Sequence, residues 1–305
     1  MSLGAEGVTK RFGDLVAVGA LDLEARPGAV LAVLGPNGAG KTTTLDMLSG
    51  TTRPDSGVVT WEGRAARPGE LRRLVGVCPQ TVQTWPRLTC VEQVVFLARL
   101  YGLGRAAATD RADRLLDRVG LRPKRDAQAR TLSGGMLRRL NIALALVSDP
   151  PAVVLDEPEA GLDPQSRVLI RDLIGELATG KVVIVTSHDL AEVERVADRI
   201  LILDHGVGIA DGTPRELLEK FDLGRTVDFG TDPDKTDALL AAVRGAGAAA
   251  TATGDLVTAR LADGNGLSAL LVAAENSGVP VRAVHTREPS LEDVFLHLTG
   301  RGLRE

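Results

Sequence analysis

Ala29-Val-Leu-Ala-Val-Leu-Gly-Pro-Asn-Gly-Ala-Gly-Lys-Thr42 reads as a buried strand that runs into a glycine-rich turn and then a helix. Glycines at this spacing let successive backbone N–H groups turn inward as a nest for phosphate oxygens. The helix that opens beyond the turn adds a partial positive charge, and Lys41 adds a full one. The Thr42 hydroxyl can hold Mg²⁺. Gly35, Pro36, Asn37, Gly38, Ala39, Gly40, Lys41, Thr42 and Thr43 are therefore the candidate cradle for the phosphates of a nucleotide.

Two further runs match the first. Ala152–Glu157 (AVVLDE) and Val182–Ser187 (VVIVTS) are almost continuously apolar and end in small, polar or acidic residues. Strands buried on both faces read this way, which predicts a mostly parallel sheet covered by helices. The segments ADRLLDRVG and MLRRLNIALALVS carry apolar residues at helical spacing. The predicted fold class is α/β with a mostly parallel sheet core carrying a P-loop phosphate cradle, plus a small α+β domain at the C-terminus. In Val153-Val-Leu-Asp-Glu-Pro158, Asp156 stands where a Mg²⁺ shell would be completed beside the loop. Glu157 follows as a carboxylate able to polarise an attacking water.

The chain has 305 residues, room for two domains. Its 44% apolar and 25% charged residues exclude a disordered chain. The longest uncharged run, Pro27 to Gly40, has 14 residues with four glycines and two prolines, which is too short and too broken to span a bilayer. The N-terminus MSLGAEGVTKRFG lacks the apolar core of a secretory signal, and two cysteines are too few for a disulfide framework. A cytoplasmic protein is expected. From Thr226 onward there are 7 basic and 11 acidic residues against 29 of each before it, so neither part offers a basic face for nucleic acid.

Leu132-Ser-Gly-Gly-Met136 opens another helix and supplies a second anion site. With Gln80 after a strand, Gly161-Leu162-Asp163 after the acidic strand and His188 after VVIVTS, the motifs across residues 1–225 resemble the ATP-binding cassette (ABC) family in order and spacing. The resemblance implies ATP and Mg²⁺ as cofactors. It also implies that two cassettes, a second copy of this chain or a related one, stack head to tail around the nucleotide. Ser133, Gly134 and Gly135 would then meet the γ-phosphate held by the partner's loop, and Asp163 would run across the interface. Gln80 would touch Mg²⁺ and the attacking water, His188 would hold the γ-phosphate, and Phe12 would stack on adenine. Metal ligands would be Thr42, Gln80 and Asp156; catalytic groups would be Glu157, His188 and Gln80. Phe12 replaces the family's usual Tyr, Met136 the usual Gln, and Glu159 a common Thr or Ser.

The division expected is a cassette over residues 1–225, with a helical subdomain at about 81–150, and an accessory, regulatory or dimerisation domain over 226–305. The latter reads strand–helix–strand–strand–helix–strand, a ferredoxin-like split unit. Asp232 is expected to cap its first helix, and Ser290 with Asp293 to form a capping box on the last. Apolar stripes Leu239, Leu240, Val243 and Leu291, Val294, Phe295, Leu298 would either face a partner or close the tail's own core. The end SLEDVFLHLTG is similar to daunorubicin-resistance-type export ATPases, which pair with a separate membrane permease. The resemblance thus implies an ATPase peripheral to the cytoplasmic face of the membrane that powers export of a drug, antibiotic, lipid or similar substrate. An importer ATPase with a regulatory tail and a non-transport ABC ATPase are the alternatives. Trp85 lies where family members meet the permease, and it reads equally as a core or a docking aromatic. Cys78 and Cys90 read as small buried side chains.

Overall fold

A computed structural model describes residues 1–221, 224–261 and 266–300. The chain divides into two compact units, Met1–Arg215 with residues 298–300, and Glu216–His297. From the N-terminus run β1 (Leu3–Phe12), β2 (Leu15–Ala25), β3 (Val30–Leu34), α1 (Lys41–Leu48), β4 (Ser56–Trp61) and β5 (Arg64–Ala65). There follow α2 (Pro68–Leu74), β6 (Val75–Cys78), α3 (Cys90–Leu100), α4 (Arg105–Arg118) and α5 (Gly134–Ala145). The first unit continues with β7 (Ala152–Asp156), α6 (Pro164–Ala178), β8 (Val182–Thr186), α7 (Leu190–Val196), β9 (Arg199–Asp204) and β10 (Val207–Gly212). Helix α8 (Pro214–Phe221) runs across the division between the units.

The central sheet has the order β10-β9-β3-β8-β7-β6, parallel throughout except for β10 at its edge. Every residue of β3, β7 and β8 is buried, as their uninterrupted apolar runs require. A second, antiparallel sheet of order β2-β1-β4-β5 shares one core with it, in which Leu3, Val8, Val33, Met47, Trp61 and Ile184 pack together. Strand β8 lies between β3 and β7, so the phosphate loop after β3 and the acidic end of β7 flank one point on the C-terminal edge of the sheet. Open parallel sheets bind ligands in such a crevice. Between β6 and β7 the chain leaves the sheet to form α3, α4 and α5.

The second unit contains β11 (Thr226–Gly230), α9 (Thr236–Gly245), β12 (Ala250–Thr253), β13 (Leu256–Arg260), α10 (Leu267–Asn276), β14 (Ala283–Arg287) and most of α11 (Leu291–Thr299). Its sheet has the order β12-β13-β11-β14 with every pair antiparallel, the ferredoxin-like arrangement expected from the sequence. Leu239 and Val243 pack with Val227, Phe229, Val257 and Leu270, so the stripe on α9 closes the unit's own core. The capping box at Ser290 and Asp293 forms. The cap expected from Asp232 does not. Pro233–Lys235 makes a tight 3₁₀ turn first, Lys235 takes the cap position without a side-chain bond, and the Asp232 carboxylate pairs with Arg282 instead.

Candidate nucleotide-binding and hydrolytic site

The loop after β3 folds tightly because two of its glycines have no room for a side chain. A Cβ on Gly35 would lie 2.4 Å from the Leu203 carbonyl oxygen, and one on Gly40 would lie 2.3 Å from that of Ala17. Gly40 also adopts φ +96°, a region that L side chains avoid. It opens α1 without any side-chain cap, which leaves the first-turn N–H groups for a ligand. The Lys41 ammonium lies back over the loop and donates to the carbonyls of Gly35 at 2.5 Å and Pro36 at 3.0 Å. Burial lowers its pKa, against the raising influence of Glu157 and Asp156. A cation held in a partly dry site interacts strongly with whatever anion enters.

Across the crevice, Asp156 ends β7. Its Oδ1 accepts from the Thr186 hydroxyl at 2.5 Å, and its Oδ2 lies 3.5 Å from Thr42 Oγ1. The same Thr186 oxygen accepts from the Glu157 N–H at 3.0 Å. Glu157 has φ +50°, a left-handed conformation that costs a non-glycine residue roughly 1–2 kcal/mol. His188 Nδ1 is 3.3 Å from Glu157 Oε2. A cavity of about 380 Å³ is lined by Phe12, Asn37, Gly38, Ala39, Gly40, Lys41, Thr42, Thr43, Gln80, Asp156 and Glu157, together with Leu15 and Ala17. Phe12 is 54% exposed at this cavity, with the Lys10 ammonium 5.6 Å from its ring centre.

The remaining predicted residues lie outside that cavity. Ser133 caps α5 by accepting from the Met136 N–H at 3.3 Å, and both Ser133 and Gly134 are exposed. A Cβ on Gly135 would approach Leu162 at 3.3 Å, so the signature turn packs against the segment that carries Asp163. Asp163 is exposed and caps α6, accepting from the Ser166 N–H at 2.9 Å and hydroxyl at 2.7 Å. Those bonds hold its carboxyl below the usual range.

Arg138, Thr186, Asn141 and Gln93 escape a motif reading. Arg138 is 3% exposed and donates to four backbone carbonyls, those of Pro79, Gln80, Asp156 and Glu157. The available signal is two polar residues at buried spacing: Arg138 and Asn141 lie three apart on α5, among its buried apolar residues. Gln93, buried on α3, bonds the backbone of Trp85 and Leu88. Cys78 and Cys90 are both buried, and burial pushes the Cys78 thiol up to about 11, which suits an inert side chain.

Glu159 faces a different environment from the Thr or Ser expected there. Burial pushes its carboxyl up to about 7, with Glu192 adding to the rise and Arg171 and Arg167 opposing it. One carboxyl oxygen is buried without a hydrogen-bond partner among the described residues. A carboxyl raised in the folded state contributes stability that is complete below its ordinary value of 4.5 and lost as pH rises through about 7. Glu159→Gln is therefore expected to gain thermal stability over the wild type as pH rises from about 5 to about 8. Parallel melting-temperature curves for the two proteins across that range would contradict the assignment.

Comparison with known proteins agrees with this geometry. The family described as ABC transporter matches residues 18–160, and the C-terminal domain of DrrA1-3-like ATP-binding proteins matches residues 212–299. The chain is 40% identical to a Nod factor export ATP-binding protein I of Ralstonia nicotianae, over 99% of this chain and 95% of that one. It is 36% identical to the linearmycin resistance ATP-binding protein LnrL of Bacillus subtilis, over 99% and 100%. Among solved structures, an ATP-binding subunit of an ABC transporter superposes with TM-score 0.67 at 27% identity, over 73% of this chain and 94% of that one. A dimeric cassette in a post-hydrolysis state, bound to ADP and phosphate, superposes with TM-score 0.64 at 26% identity, over 69% and 98%. The phosphate loop, the acidic strand end and the signature turn thus stand on the fold and in the sequence neighbourhood where they occur together, and the chain belongs to the ABC transporter ATP-binding family.

Proposed function

We propose that this chain hydrolyses ATP at sites shared between two cassettes and thereby powers export through a separate membrane permease. The observation that carries the shared site is a separation. The cavity gathers the loop, Thr42, Gln80, Asp156 and Glu157, whereas Ser133, Gly134 and Asp163 are exposed outside it. A γ-phosphate on the loop would meet its second set of donors only from another cassette, either a second copy or a relative.

In this reading Phe12 stacks on adenine, and the loop N–H groups with Lys41 hold the β- and γ-phosphates. Thr42, Asp156 and Gln80 offer hard oxygen ligands on one cavity, a set that suits Mg²⁺ with water and phosphate completing the shell. Bound there, Mg²⁺ would offset phosphate charge. Glu157 accepts the proton of the attacking water, while His188, 3.3 Å from its carboxylate, keeps it aligned and reaches the γ-phosphate. Phosphoryl transfer needs mainly positioning and charge stabilisation, and these groups supply both.

Docking of the permease is assigned to the surface of α3. Trp85, 42% exposed, sets its edge against Phe96 at 5.5 Å, and Phe96, Leu100 and Tyr101 are exposed. Beside them opens a cavity of about 590 Å³ lined by Trp85, Leu97, Tyr101, Arg72, Gln83 and Asn141. Among the described residues no helix is long and apolar enough to cross a membrane, which fits attachment through a partner at the cytoplasmic face. Export is favoured by the names of the similar proteins, which concern Nod factor export and linearmycin resistance. Residues 1–225 are proposed as the cassette and 226–305 as an accessory domain for regulation or dimer stability.

The test is reconstitution with a candidate permease in lipid vesicles, with ATP supplied to the cassette side. The account expects ATP-dependent movement of substrate away from the cassette side and faster hydrolysis when substrate is present. Movement toward the cassette side would overturn export.

A further inference from the structure

Arg138 occupies an unusual position for a buried cation. The residue is 3% exposed, and among the described residues it makes no ion pair with a carboxylate; its four bonds go to backbone carbonyls. Nη1 donates to the carbonyls of Pro79 at 2.6 Å and Gln80 at 2.9 Å; Nη2 donates to that of Glu157 at 2.6 Å and to that of Asp156. Nε finds no acceptor among the described residues. A buried charge balanced only by peptide dipoles is a poor device for stability, since an apolar side chain of similar volume packs as well without desolvation. The pattern of acceptors is more informative. Successive carbonyls of an extended strand point to opposite sides, yet those of Asp156 and Glu157 converge on one nitrogen. The left-handed φ of Glu157 breaks the strand alternation at that point. The consecutive carbonyls of Pro79 and Gln80 converge in the same way just beyond β6.

We propose that Arg138 is a positioning residue for hydrolysis: its fork ties the backbone of Gln80 to that of Asp156 and Glu157, and so fixes the strained turn that aims the Glu157 carboxylate. The proposal rests on the reading of Glu157 as the base. Arg138 lies on α5, the helix that Ser133 caps, so the same link places the signature turn, Gln80 and Glu157 on one rigid connection. Thr186 holds the other side of the turn by accepting from the Glu157 N–H. No atom of Arg138 lines the nucleotide cavity. Its loss should therefore change turnover and spare nucleotide affinity.

The experiment compares Arg138→Lys and Arg138→Met with the wild type, each also combined with Glu157→Gln. Steady-state hydrolysis and equilibrium binding of ATP are measured for all of them. Misplacement of a reacting group by about 1 Å costs on the order of 100-fold in rate, so Arg138→Met is expected to lower kcat by about that factor. Arg138→Lys keeps the charge but replaces the planar fork by a point donor, and is expected to fall between. ATP affinity should stay within about two-fold in both. In the Glu157→Gln background neither change should lower the residual rate further, because the carboxylate that they aim is already gone. Weakened ATP binding in step with kcat, an additive loss in the Gln background, or wild-type turnover would each overturn the proposal. If Arg138→Met does not fold, Arg138→Lys carries the same readouts. Failure of both to fold would also overturn it, because the bonds would then hold the subunit together rather than aim a carboxylate. Wild-type turnover by Glu157→Gln alone would instead refute the assignment of the base, before Arg138 is changed.

Discussion

Glu157→Gln is expected to bind ATP as the wild type does and to hydrolyse it about 10²–10⁴-fold more slowly, the contribution typical of a positioned general base. The amide keeps the size of the carboxylate and one of its oxygens, so the backbone bonds to Thr186 and Arg138 are undisturbed. What disappears is the charge that accepts a proton from water. Because the step before hydrolysis is intact, the variant should accumulate in its ATP-bound form, with the loop of one chain and the signature turn of the next closed on the same nucleotide. Measured turnover at the wild-type rate would mean that another group takes the proton. His188, 3.3 Å from the same carboxylate, is one alternative.

Ser133→Arg is expected to remove hydrolysis almost completely while a single chain still binds ATP. Two effects act together. The hydroxyl that caps α5 is lost, at a cost of about 1 kcal/mol in helix stability, too little to unfold a cassette. A long cation is also placed on an exposed turn that has to close on a phosphate held by another chain. Loss of one preorganised donor to a developing anion slows reactions about 10²–10³-fold, and obstruction of closure adds to that. Lys41→Ala disables the other half of the site. A dimer of the two variants would contain one composite site with both Lys41 and Ser133 intact, so mixing two inactive chains should return hydrolysis. Full activity of Ser133→Arg alone would indicate a site contained within one chain.

Much of this was legible in the sequence because the requirements are local. A strand buried on both faces must be continuously apolar, and β3, β7 and β8 are. A backbone nest must be rich in glycine, and the contacts of Gly35 and Gly40 show why no other residue fits. The split order of the second unit was legible only on the condition that Ala248–Thr253 is extended, since alanines carry no periodicity; β12 meets it over Ala250–Thr253. What stayed hidden depends on partners distant in the chain. Thr186 reaches Asp156 only because β8 lies between β3 and β7, an order that no local pattern encodes. Arg138 acts on carbonyls, which every residue possesses, so its targets leave no mark on composition. Asp232 looked like a helix cap, but Pro233 starts a 3₁₀ turn and Arg282, fifty residues away, claims the carboxylate.

The central claim is that the nucleotide is enclosed between two chains, and sedimentation velocity of Glu157→Gln tests it most directly. Without nucleotide and with saturating ATP and Mg²⁺, the account predicts a shift from one-chain to two-chain particles, abolished when Ser133→Arg is added to the same chain. ATP-saturated particles that remain single chains, or a dimer that forms whether or not Ser133 is replaced, would contradict it.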